Sequence, residues 1–156
     1  MATYDVTKGS GTATHGTGRS PYLVENVLDI GKINADAGVG AADVIRMIDV
    51  PAESVVIYAG FEVLTALTGT SPDIDFGITG GDVDEWVDGN DGSAGYATAA
   101  VASPQVVAFA SADTLDLLFN TNAATAGVIR CFALMLDTSG LNESSTSKAS
   151  QDDTAV

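Results

Sequence analysis

The chain of 156 residues is poor in the side chains on which most enzyme sites depend. It contains one cysteine, Cys131, and one histidine, His15. A lone cysteine excludes an internal disulfide and a zinc site built from several thiolates. His15 lies in a stretch of Gly, Thr and Ser, and Cys131 lies in an apolar run, so neither has the polar partner that an activated nucleophile or base requires. We therefore expect a protein without enzymatic activity.

Basic residues are also scarce, since six Lys and Arg stand against 21 Asp and Glu and give a net charge of −15. The bases are scattered singly, whereas nucleic-acid binding requires clustered positive charge that neutralises phosphates. An anionic membrane surface would repel the chain for the same reason. No apolar run reaches the roughly 18 residues of a membrane span, and the N-terminal residues lack the apolar core of a secretory signal. We expect a protein made in a cytosol that binds neither nucleic acid nor membrane.

Apolar residues are sparse at both ends of the chain. Residues 1–21 are rich in Gly, Thr and Ser, and residues 139–156 are similarly polar, so neither segment has enough apolar surface to fold alone. The composition predicts an extended arm over 1–21, one folded domain over 22–138 and a polar tail over 139–156. Ordering such an arm costs about 1–2 kcal/mol per residue. It therefore serves either as a loose linker or as a segment that lies on a neighbouring subunit.

Alternation of apolar and polar residues with a period of two runs through the middle of the chain and indicates half-buried antiparallel strands. Many short strands separated by Gly and Pro turns predict an all-β fold, an antiparallel β-sandwich of about eight strands, of which the jelly roll is one form. The predicted strands are 22–30, 43–50, 55–63, 73–79, 96–102, 105–110, 114–120 and 127–137.

The face of each strand follows from the same alternation. The strand 127–137 is mainly apolar on both faces, which is typical of a central strand covered on both sides, and residues 121–126 before it resemble a hairpin loop. In the two most regular strands, we expect Val55, Ile57, Ala59, Phe61 and Val63 to face the core in one, and Ile74, Phe76 and Ile78 to face it in the other, with Asp73, Asp75 and Thr79 in solvent.

Residues 73–92 concentrate the acidic side chains and include the chain's single tryptophan, Trp86. Several carboxylates at short spacing can bind Ca²⁺, and Asp82, Asp84 and Asp88 are the candidate ligands. The stretch lacks the glycine and the closing glutamate of an EF-hand at the required offsets. The alternative is a solvated strand and polar turn, in which Trp86 and Val87 fold back onto the sheet edge. Residues 82–88 are also the one stretch with a signal for a helical turn, with Asp82 as its N-cap. We expect the protein to bind no cofactor, and the alternative is a Ca²⁺ ion bound by these carboxylates.

Two arginines, Arg46 and Arg130, lie inside predicted strands. A mid-strand arginine either pairs with a carboxylate of its own chain or contacts another subunit, and the sequence leaves both alternatives open. The candidates for contacts with a partner or another subunit are Lys8, His15, Arg19, Tyr22, Arg46 and Arg130.

Four features of residues 43–138 together resemble the small virion structural proteins of tailed bacteriophages, especially of marine phages. They are the Pro51-Ala52 turn that ends a strand, the alternating strand 55–63, the acidic turn 82–88 with its central aromatic, and the closing strand 128–137. The group is similar to capsid decoration, or cement, proteins and to other head-associated proteins.

The resemblance implies a protein made in the host cytoplasm that acts on the capsid surface of the virion. It implies binding to the major capsid protein, self-association as a symmetric oligomer such as a trimer, and stabilisation of the shell against internal DNA pressure. Two other functions remain open on the sequence. One is a calcium-dependent module that binds a carbohydrate or another surface through residues 82–91, and the other is a tail or fibre component of the same virion.

Overall fold

The computed structural model describes residues 20–36, 39–69, 72–98, 106–120 and 124–138, and it folds them as an antiparallel β-sandwich with one short helix. The predicted fold class is confirmed. Most of the predicted arm and all of the predicted tail lie outside the described residues. The elements are β1 (Tyr22–Asp29), α1 (Ile30–Asp36), β2 (Val44–Val50), β3 (Ser54–Gly69), β4 (Ile74–Gly77), β5 (Val87–Asn90), β6 (Gly95–Thr98), β7 (Val107–Phe109), β8 (Asp113–Phe119) and β9 (Ala124–Asp137).

The strands divide into two sheets. The five-stranded sheet has the order β1-β9-β3-β6, with β7 also paired to β3, and the four-stranded sheet has the order β2-β8-β4-β5. The prediction that 127–137 is a central strand is confirmed, because β9 lies between β1 and β3. The expected cover on both sides is wrong for the outward side, since Arg130, Phe132, Leu134 and Leu136 are only half-buried there. The predicted hairpin at 121–126 is wrong, because β8 and β9 belong to different sheets and β9 already begins at Ala124.

The core fills the space between the sheets. Phe61 of β3 meets Phe76 of β4 edge to face, with 6.2 Å between ring centroids, and Trp86 lies 6.4 Å from Phe76. All three side chains are buried. Burying one large apolar side chain contributes about 1.5–3 kcal/mol, so this aromatic cluster is a main link between the sheets.

The strand β3 changes face along its length, which the sequence did not indicate. Its pairing with β9 shifts register between Val56 and Tyr58, and such a bulge inserts one residue and exchanges the faces of the strand. Val56 is consequently buried, whereas Val55, which was predicted to face the core, is only half-buried. Beyond the bulge the prediction is confirmed, since Phe61 and Val63 are buried.

The helix α1 replaces the end of the first predicted strand. The carboxylate of Asp29 accepts a hydrogen bond from the Lys32 amide at 3.3 Å, which is the geometry of an N-cap. Ile30 is buried and Ile33, three positions later on the same helical face, is half-buried. The capping aspartate and this spacing are the sequence signals that mark the helix.

Candidate functional site

The acidic segment 78–86 is a turn that folds over the outer surface of β4, and it is not helical. The Ile78 amide donates to the Asp82 carbonyl at 2.7 Å, and the Trp86 amide donates to the Phe76 carbonyl at 3.0 Å. The turn then leads into β5. The predicted helical turn over 82–88 is therefore wrong, because burial of Trp86 in the core pulls the segment back onto the sheet.

The three candidate calcium ligands lie on this turn and on the strand after it. Asp82 and Asp88 are exposed and Asp84 is half-buried. A hydrogen bond shared with Asp82 raises the pKa of Asp84, and burial and the charges of Asp82 and Asp88 act in the same direction. Burial and the charge of Asp82 also raise the pKa of Glu85. The cluster is thus a group of carboxylates that repel one another.

No group of three or more His, Cys, Asp or Glu residues is placed to hold a metal ion within the described ranges. Asp82 and Asp84 are the two candidates that the fold brings into contact.

Two carboxylates that the sequence did not single out are buried on the outer side of the four-stranded sheet. Asp75 was predicted to face solvent, yet its side chain accepts hydrogen bonds from the Gly89 amide at 2.8 Å and from the Asn120 side-chain amide. That prediction is wrong because β5 and the residue after β8 close over the position. Asp116 is also buried, and it accepts one long hydrogen bond, 3.4 Å, from the Thr79 amide.

Arg130 forms an ion-pair network on the five-stranded sheet. Its guanidinium lies 2.6 Å from the carboxylate of Glu62 and 3.6 Å from that of Glu25, and it lies 3.5 Å from the Tyr96 hydroxyl. Burial opposes the charge of the guanidinium, but the charges of Glu62 and Glu25 outweigh burial and raise the pKa of Arg130. The sequence left open whether Arg130 pairs with a carboxylate of its own chain or contacts another subunit, and the fold contains the pair within the chain.

The other predicted contact residues are spread over the molecule. Arg46 is exposed on β2, one of the two edge strands of the four-stranded sheet, and forms no ion pair with another described residue. Tyr22 is exposed at the start of β1. The remaining candidates, Lys8, His15 and Arg19, lie outside the described residues, so the structure does not test their predicted role.

Cys131 lies in the core on the inner side of β9. Burial raises the pKa of its thiol far above the ordinary value, so the thiolate that a nucleophile requires is strongly disfavoured there. Among the helices that the structure describes, none is long and apolar enough to cross a membrane.

The outer face of the five-stranded sheet is a second feature that the sequence alone does not indicate. We define the outer face as the side chains of this sheet that point away from the four-stranded sheet. It is rich in exposed apolar residues, and it surrounds the Arg130 network. Its members include Leu23 and Val27 of β1, Val55, Tyr58, Glu62 and Leu64 of β3, Tyr96 of β6, and Arg130, Phe132, Leu134 and Leu136 of β9.

The fold as a whole is similar to solved chains from phage capsids. No family model matches the chain, and no curated protein matches it significantly. Among solved structures, a chain of the cyanophage Pam1 capsid asymmetric unit matches with a TM-score of 0.58 at 17% identity, covering 86% of this chain and 97% of that one. A chain of the Ralstonia phage GP4 capsid matches with a TM-score of 0.57 at 16% identity, covering 81% of this chain and 90% of that one. The resemblance to phage virion proteins is thus confirmed in the fold.

Proposed function

We propose that this protein is a non-enzymatic structural protein of a phage virion, and that it acts as a decoration protein on the capsid surface. The observation that carries the proposal is the agreement in fold over nearly the whole of two phage capsid chains, 97% and 90% of their lengths. The proposed partner is the major capsid protein, and the proposed state is a homo-oligomer, with a trimer as the symmetry that the sequence resemblance implies.

We also infer that the sandwich is wound as a jelly roll. From β1 to β4, consecutive strands alternate between the two sheets, and β8 and β9 again lie in different sheets. If β6 and β7 together count as one strand position beside β3, each sheet has four positions, as in a jelly roll of eight strands. Viral capsid domains are among the proteins that use this winding.

The charge of the chain fits this role. A net charge of −15 keeps the protein from binding nucleic acid non-specifically, which suits a component made in a host cytoplasm beside replicating DNA. A decoration protein stabilises its shell by contact alone, so it requires complementary surfaces and no reactive groups.

Addition of the purified protein to expanded phage shells that lack it tests the proposal. Saturable binding to the outside of the shell, with a higher temperature of shell disruption, is the expected result. Absence of binding would contradict the decoration role, and labelling of the virion tail in place of the head would assign the protein to the tail or fibre.

The polar arm provides a second measurement in the same assay. If residues 1–20 lie on the capsid, deleting them should weaken shell binding more than it lowers the Tm of the free protein. Deletion of residues 139–156 is the control of similar length. Equal effects of the arm deletion on binding and on Tm would mean that the arm belongs to the folded body.

A further inference from the structure

We propose that the outer face of the five-stranded sheet is covered by a second copy of this chain. The inference rests on the proposed function and names a surface for the self-association, but a face packed on the same face of a second copy is a two-fold contact, so it forms a dimer in place of the trimer. Its basis is the concentration of exposed apolar side chains on that face, the small net charge of the face, and its area.

Exposed apolar side chains gather on this face. Of the eight large hydrophobic residues that are exposed in the described chain, five lie there. Contiguous exposed apolar surface of this kind marks an interaction site in a soluble protein, and aromatic enrichment is typical of the core of an interface. The five residues are Leu23 (58% exposed), Val27 (54%), Tyr58 (37%), Leu64 (46%) and Tyr96 (68%).

These residues form continuous rows across the sheet. One row runs from Leu23 through Leu134 to Tyr58. A second row runs from Val27 through Arg130 to Glu62 and Tyr96, and the row of Glu25 and Phe132 lies between the two. With about 4.8 Å between strands and about 3.4 Å per residue, the whole paired lengths of these four strands, charged residues included, give a face of roughly 500 Å². Two such patches together bury about 1,000 Å², which is the lower limit for a specific interface.

The charges of the outer face favour contact with the same face of a second copy over contact with a positively charged surface of another protein. Two carboxylates of the face, Glu25 and Glu62, are already paired with Arg130, and a third, Asp29 at the end of β1, is paired with Lys32, so none is left free to attract a lysine or arginine of another protein. These five residues together carry one negative charge, whereas the whole chain carries −15. Two copies repel each other wherever their acidic surfaces meet, and this nearly neutral face is a place where that repulsion is small.

The chain's own ends are a poor match for the face. The segment 1–19 contains three large apolar side chains, those of Met1, Tyr4 and Val6, and the segment 139–156 contains those of Leu141 and Val156. The outer face itself supplies one apolar row, Leu23 with Leu134 and Tyr58, and a second row whose ends, Val27 and Tyr96, are apolar. A second copy therefore provides the apolar surface that the terminal segments lack.

The test compares the solution molar mass of the full chain and of three variants by sedimentation equilibrium, with circular dichroism as the check on folding. Leu23→Glu and Val27→Glu place a carboxylate on the outer face. Val44→Glu is the matched control, because Val44 is also an exposed apolar residue (40%) on an edge strand, but it belongs to the other sheet.

We expect wild type and Val44→Glu to associate at micromolar concentration, and each outer-face variant to associate at least about tenfold more weakly, which corresponds to about 1.4 kcal/mol. Higher salt should strengthen the association, since it screens two acidic chains. A wild type that stays a single copy overturns the inference and leaves the face to the capsid protein or to the chain's own ends. Association that Leu23→Glu and Val27→Glu do not weaken, or that Val44→Glu weakens equally, overturns it too.

The shell-binding assay separates this inference from the proposed function. Wild type that self-associates through the outer face but does not bind shells supports the inference and contradicts the decoration role. Wild type that binds shells as a single copy supports the decoration role and contradicts the inference.

Discussion

Asp75 joins three parts of the chain at one end of the four-stranded sheet. It lies on β4, and its carboxylate accepts hydrogen bonds from the Gly89 amide of β5 and from the side chain of Asn120, which follows β8. The pairing of β4 with β5 shifts register between Ile74 and Phe76, so the carboxylate supplies an acceptor for Gly89 where the ladder is irregular. Several hydrogen-bond donors stabilise a buried carboxylate, whereas the same donors without an acceptor lower the stability of the fold.

We predict that Asp75→Ala lowers the free energy of unfolding by about 1–3 kcal/mol, because it leaves the Gly89 and Asn120 donors without an acceptor. Urea denaturation followed by circular dichroism measures the loss. Asp88→Ala, at an exposed position of the neighbouring strand, is the control and should change stability by less than about 0.5 kcal/mol. Equal losses in the two variants would show that the buried hydrogen bonds contribute nothing of their own.

For single residues, the sequence predicts the side of a strand to which a side chain points better than it predicts whether that side chain is buried. Alternation correctly placed Asp75 on the side of β4 opposite Ile74 and Phe76. It could not show that this outer side is covered, because the covering residues come from β5 and from the end of β8, which are distant in sequence. The same limit applies to Asp116, whose cover is also non-local.

The turn 78–86 is positioned by the absence of a side chain beneath it. A Cβ added at Gly77 would overlap the backbone of Asp82 and Val83, so the turn can lie this close to β4 only over a glycine. Trp86, at the end of the turn, reaches the core because of this approach. The repelling carboxylates of Asp82 and Asp84 are thus held over the sheet by packing below them.

We expect Gly77→Ala to lift the turn from the sheet and to cost about 1–3 kcal/mol, as overpacking of a dense site does. Trp86 is the only tryptophan, so a red shift of its fluorescence reports its exposure directly. Gly81→Ala is the control, because the atoms nearest to the added Cβ, those of the Ile78 side chain and backbone, lie at ordinary distances of 3.4–3.6 Å. Unchanged emission and unchanged Tm in Gly77→Ala would contradict this account of the turn.

Elements were predictable where they are long and regular. The strands 43–50, 114–120 and 127–137 were predicted close to the observed β2, β8 and β9. The strand β5 was missed because its four residues follow a turn rich in acids, which hides any alternation. The helix α1 was missed because Ile30 continues the alternation of β1, while the cap by Asp29 depends on a single side chain.

At the scale of the whole molecule, the fold class followed from the sequence because every strand contributes to it. An error in the bounds of one strand therefore leaves the predicted fold class unchanged. The division of strands between sheets did not follow, since pairing joins residues far apart, as between β1 and β9. The outer face was overlooked for a related reason. Leu23, Val27 and Tyr96 lie far apart in sequence, and only the register of β1, β9, β3 and β6 makes them one surface.

The net charge of −15 also acts on the whole molecule. Repulsion among many carboxylates destabilises a compact state, and few are paired, because six bases face 21 acids. Raising salt from about 0.01 M to about 1 M shortens the Debye length from about 30 Å to about 3 Å, so we expect the Tm to rise. Calorimetry at two protein concentrations measures this, and a rise independent of concentration assigns the gain to repulsion within one chain rather than to association. A Tm that falls with sodium chloride would mean that the few pairs, led by Arg130 with Glu62, outweigh the repulsion.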